Sequence, residues 1–167
     1  MDAFSSDSQC VAIHIRRGDR IVEGVDMRKY CRDHKGEQVV EDLGCRGVNP
    51  FGALSLNDYL ERSYKLLPTR NVFVMTDDGA WLKQQKTLLP AEAGWNIYEL
   101  PAPKERYSSA NGLEFFTSVA LARKCNALVG NFMSGVSMLV HEAMCVHHAN
   151  KVGECPPVVD IGKEYNK

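Results

Sequence analysis

Val11-Ala12-Ile13-His14-Ile15-Arg16-Arg17-Gly18-Asp19-Arg20 is the stretch on which the fold turns. A short apolar run passes directly into a histidine, three arginines and a glycine. Such a run reads as a strand of a parallel sheet covered by helices on both faces. In an open α/β sheet, ligands bind outside the carboxyl ends of the strands, so charge placed there faces a crevice. Each guanidinium offers a planar fork of donors that stays charged, which suits a phosphate or carboxylate. Alternation along a strand sends Arg16 and Arg17 to opposite faces. The expected ligand is an anion, in the first instance a nucleotide diphosphate.

Four further apolar segments repeat the pattern: residues 72–75, 95–98, 127–129 and 157–159. They end at Thr76-Asp77-Asp78-Gly79, Leu100-Pro101, Gly130-Asn131 and Asp160-Ile161-Gly162. Helical periodicity fills the intervals at 56–67, 80–89, 113–125 and 134–146. In the first of these Leu56, Tyr59, Leu60, Tyr64 and Leu67 share roughly one face, and Ser55 or Asn57 is the cap. The alternation predicts a Rossmann-like open parallel sheet of about five strands with helices on both faces, joined by right-handed crossovers. The natural strand order is 3-2-1-4-5. Residues 20–54 interrupt the alternation with charged residues and glycines (36, 44, 47 and 52 among them), an irregular insertion that starts beside the arginines.

The whole chain, 167 residues at a net charge of −1, is expected to form one domain with one sizeable core. A balanced charge argues against nucleic acid, which wants a basic excess. No apolar stretch approaches a membrane span. The first residues lack the regions of a signal peptide, so the expectation is a cytosolic protein or a piece of a longer one. Six cysteines bear on that choice. Cys31 with Cys45, and Cys145 with Cys155, each flank a loop that a disulfide could brace, which would place the chain in an oxidising lumen. Alternatively several are small buried apolar residues, a reading that suits Cys125 and Cys145. Six cysteines allow 15 complete pairings.

At the strand ends, His14, Arg16, Arg17 and Asp19 meet Thr76, Asp77 and Asp78, and Gly130, Asn131, Ser134, Gly135 and Ser137 form a turn that opens a helix. The first N–H groups of that helix are free donors at its positive end. Two arginines and such an N-terminus cradle a diphosphate, and the arginines can neutralise a leaving group without a metal. Each piece has a plainer role: Asp77-Asp78 as turn and cap, Asp19 as a partner for an arginine, His14 as a core histidine. His141, Cys145 and His148 share a helical face at metal-ligand spacing, with a buried face as the alternative. Arg17-Gly18-Asp19 is an adhesion tripeptide, but it follows a core strand. No G-x-S-x-G nucleophile signature is present.

His14-Ile15-Arg16-Arg17-Gly18-Asp19, Val72-Phe73-Val74-Met75-Thr76-Asp77-Asp78 and Asn126-Ala127-Leu128-Val129-Gly130-Asn131-Phe132-Met133-Ser134 resemble, in order and spacing, the three donor-site motifs of the fucosyltransferase superfamily. The nearest match is to the α-1,6-fucosyltransferases; the α-1,2 enzymes and protein O-fucosyltransferases share the first motif in related forms. The resemblance implies one Rossmann-like half of a GT-B fold that binds GDP-fucose without a metal or cofactor and transfers fucose to a glycan with inversion. It implies that Arg16 and Arg17 bind the phosphates, with Arg17 stabilising the departing diphosphate, and that His14 contacts the nucleotide. Asp19, Arg20, Asp77 and Asp78 fall at donor-site positions, and Ser134 would hold phosphate. Glu23, or Asp26, would be the base that takes the acceptor proton. Ser118 stands where the family has its acidic guanine contact, with Glu114 one turn earlier; Arg20 replaces a lysine and Met133 a serine. The resemblance further implies the Golgi lumen, and a second, N-terminal domain that this chain does not contain. A non-catalytic nucleotide or glycan binding module, and a transferase for another nucleotide sugar, are the alternatives.

Overall fold

Five short strands pair in parallel in the order β3-β2-β1-β4-β5. The computed structural model describes residues 9–17, 54–100, 109–132 and 134–161. The strands are β1 (Val11–Ile15), β2 (Asn71–Thr76), β3 (Asn96–Tyr98), β4 (Ala127–Gly130) and β5 (Val158–Asp160). Between them run α1 (Leu56–Leu66), α2 (Gly79–Thr87), α3 (Ser109–Ala122) and α4 (Gly135–Val152). The strand order and the α/β class are those the alternation predicts. Most of the 20–54 insertion lies outside the described residues, as do Cys31 and Cys45.

Every residue of β1 is buried because helices cover both of its faces. Val11, Ile13 and Ile15 join Val72, Val74 and Val129 in a core closed by Leu56, Tyr59 and Leu60 of α1 and Leu82 of α2. Cys10 and Ala12 join Phe73, Met75 and Leu128 in a second core, closed by Ala122, Val140 and Met144 of α3 and α4. The two-residue period of the strand therefore decides which helix pair each side chain meets.

Local chemistry fixes the helix ends. Ser55 caps α1 through a reciprocal box in which its hydroxyl accepts from the Asp58 N–H and the Asp58 carboxylate accepts from the Ser55 N–H at 2.8 Å. Asp78 caps α2 by accepting from the Trp81 N–H at 2.9 Å. Gly153 ends α4 in the left-handed region at φ 80°.

Several expectations need correction. β1 runs on through His14 to Ile15, so His14 is a strand residue. Tyr64 is 45% exposed, and Ser63 takes its place on the inner face of α1, its hydroxyl donating to the Leu60 carbonyl at 2.7 Å. α3 starts at Ser109 and ends at Ala122, short of Cys125. Cys125 is no free core cysteine, because it is bonded to Cys10. That bond ties the entry to β1 to the turn before β4, alongside the Asn126 N–H donating to the Cys10 carbonyl at 2.8 Å. Cys145 pairs with Cys155, as the loop between them suggests.

Candidate functional site

The strand order reverses between β1 and β4, and the carboxyl ends of these two strands meet the sequence-predicted residues. His14 lies opposite Gly130 in the register, on the α3 and α4 side of the sheet. Its Nδ1 is 2.7 Å from Ser137 Oγ, a buried bond between the strand and the first turns of α4. Burial, helped by the charge of Arg16 and opposed by that of Asp77, lowers the His14 pKa to about 4. The imidazole is therefore neutral at pH 7. Only a glycine at 130 allows this approach: a Cβ there would stand 2.8 Å from Ser137 Oγ and 3.3 Å from Ser137 Cβ.

After β4 the chain turns through Asn131 and Phe132 into α4. Asp160, at the end of β5, fixes this turn by accepting from the Phe132 N–H at 3.1 Å. Ser134 occupies the N-cap with extended backbone, yet its side chain makes no capping bond. The hydroxyl is buried and has no hydrogen-bond partner among the described residues. A buried hydroxyl left unmatched is costly unless a ligand completes it. Around it lie the N–H groups of the first turn of an 18-residue helix, at the positive end of its dipole.

Arg17 leaves the strand on the other face, as alternation requires. Its N–H donates to Asp77 Oδ1 at 2.7 Å, which ties the chain after β1 to the end of β2. Its guanidinium lies over the Trp81 ring, 4.3 Å from the centroid, with Nε 3.7 Å from Asp78 Oδ2. Arg16 stands on the His14 side, near enough for its charge to act on the imidazole. Asp78 thus serves both as the helix cap and as a counter-charge for Arg17.

On α3, Glu114 and Ser118 are both half-buried and one helical turn apart. Glu114 Oε2 is buried without a hydrogen-bond partner among the described residues. Asp19, Arg20, Glu23, Asp26 and Met133 lie outside the described residues. The metal alternative loses its ligands: Cys145 is in a disulfide, and His148 Nε2 lies 2.9 Å from the Cys125 carbonyl oxygen. His141 stays beside Cys145 and meets the Phe132 ring edge-on. Sequence reasoning missed two residues, Trp81 and Asp160. Trp81 stands three places after the capping Asp78, over the start of its own helix, which was the available signal; Asp160 closes its strand as Asp77 follows β2.

Among solved structures, the chain is similar to POFUT1 in complex with GDP, at 19% identity and a TM-score of 0.50, covering 93% of this chain and 43% of that one. It is similar also to POFUT1 in complex with GDP-fucose, at 18% identity and a TM-score of 0.51, covering 90% of this chain and 41% of that one. The chain shares with these structures the fold of a parallel sheet flanked by helices. The chain spans less than half the length of these two structures. No family model matches it, and no curated protein does.

Proposed function

We propose that this chain is the donor-binding half of a fucosyltransferase-like, GT-B glycosyltransferase that holds GDP-fucose across the carboxyl ends of β1 and β4. The observation that carries the reading is the buried Ser134 hydroxyl, without a partner among the described residues, at the start of α4, which follows β4, the neighbour of the strand that leads into Arg16 and Arg17. A diphosphate supplies what this arrangement lacks, an anion with oxygens to accept from the hydroxyl and the first-turn N–H groups. Both POFUT1 structures hold a guanine nucleotide, in agreement with that choice.

In this reading Arg16 and Arg17 bind the phosphates from opposite faces of β1, and Arg17 stabilises the charge that grows as the diphosphate departs. Neutral His14 holds Ser137 and so fixes α4 against the strand beneath the nucleotide. Asp77 and Asp78 hold Arg17, and Asp19 and Arg20 border the donor. Glu23 is the base that takes the acceptor proton, and fucose is transferred with inversion and without a metal. Glu114 substitutes for the acidic guanine contact that Ser118 cannot make. The acceptor is a glycan, with the α-1,6 type the nearest by motif, and a second domain completes the acceptor site. The two disulfides among the described residues suit the secretory pathway.

Calorimetric titration with GDP, GDP-fucose, UDP and ADP tests the donor. A preference for the guanine compounds supports the reading, and equal binding of all four would favour a transferase for another nucleotide sugar, which Ser118 allows. Release of GDP from GDP-fucose, with and without glycan, separates an enzyme from a binding module. Glu23→Gln should spare GDP binding and abolish transfer in the complete enzyme; retained transfer dismisses Glu23.

A further inference from the structure

We infer that Trp81 is a positioning residue for Arg17, presetting its guanidinium for a diphosphate; this rests on the donor reading above. The side chain of Arg17 is long and loses rotamer freedom when fixed. Two contacts restrain it, Asp78 at 3.7 Å from Nε and the Trp81 ring 4.3 Å from Cζ, while the Asp77 carboxylate fixes the Arg17 backbone N–H. Only the ring acts on the flat face of the guanidinium. Attraction between a cation and an aromatic face uses no N–H group, so the in-plane donors stay available to an anion. Trp81 is itself fixed, because its N–H caps onto Asp78 and its ring packs against the core beneath α2. The ring is thus a rigid shelf joined to the carboxylate that balances the arginine's charge.

The chain has two tryptophans, and the other, Trp95, precedes β3 at the amino end of the sheet. A Trp95→Phe chain therefore carries a single indole under Arg17. Titrating that chain with GDP and with inorganic pyrophosphate should change its fluorescence in step with binding heat. Trp81→Leu should weaken GDP about three- to thirty-fold, leave guanosine unchanged, and be rescued largely by Trp81→Phe. In an Arg17→Ala background, Trp81→Leu should cost nothing further.

Equal losses for GDP and guanosine, or additive losses with Arg17→Ala, overturn the positioning role while leaving the donor site intact. Should Trp81→Leu fail to fold, the cycle is run with Trp81→Met, which keeps apolar bulk without an aromatic face, and Arg17→Ala, where additive losses overturn it equally. If the unaltered chain binds neither GDP nor pyrophosphate, the donor reading and this inference fall together.

Discussion

His14 and Gly130 show how single residues set the site. The imidazole is held at about pKa 4 when folded, against 6.5 ordinarily, because burial penalises its charged form. The unfolded chain therefore takes up the proton first as the pH falls. Stability from neutral His14 is complete above about 6.5 and declines towards pH 4, by on the order of 3 kcal/mol. The Asp58 carboxyl is held below its usual 3.8 by the Ser55 hydroxyl, so its contribution is lost at lower pH still. Denaturation across pH 4–7 should show the slope, and His14→Gln should flatten it; an unchanged slope would assign the proton elsewhere. Gly130→Ala should cost about 1–3 kcal/mol through the clash with Ser137. Adding Ser137→Ala removes the nearer atom and should restore part of that loss, whereas a purely additive pair would locate the strain away from the serine.

Elements were legible in the sequence where their signals are local. The Ser55 and Asp58 box lies within four residues, and the Asp78 cap within α2's first turn, so both helices could be read from short stretches. The faces of β1 follow from a period of two, which sorted Arg16 from Arg17 correctly. Illegible were the contacts that need two distant elements at once. Arg17 meets Trp81 only because β1 and β2 pair side by side. Cys10 meets Cys125 across 115 positions, and nothing near either residue announces the partner. That separation has a measurable consequence, since a disulfide closing a longer loop restrains the unfolded chain more. Replacing Cys10 and Cys125 together by alanine should lower stability by about 2–5 kcal/mol. The same change at Cys145 and Cys155, which close a separation of 10, should cost less. Chemical denaturation of the two double variants gives the order, and its reversal would mean that native contacts rather than loop length set the effect.

Across the whole molecule, chemistry and anchorage are divided between the two edges of the sheet. At the amino edge, Asn71 and Asn96 join side chain to side chain at 2.9 Å, Arg70 lies beside both Tyr64 and Trp95, whose rings meet edge-on, and the Cys10 bond closes the start of β1. At the carboxyl edge lie His14, Arg16, Arg17, Asp77, Asn131 and Ser134, where the strand order reverses between β1 and β4, the place at which open α/β sheets bind their ligands. A ligand that binds there should stiffen one edge and leave the other as it was. Hydrogen exchange with and without GDP should therefore slow at Arg17, Phe132 and the first turn of α4, and stay constant at Asn71 and Asn96. The α4 amides are the sharpest case, since the first four N–H groups of a helix have no acceptor of their own until an anion supplies one. Pyrophosphate should protect the same α4 amides, while guanosine should not. Protection spread evenly over both edges would indicate general stabilisation on binding, and would remove the carboxyl ends of β1 and β4 as the place where phosphate sits.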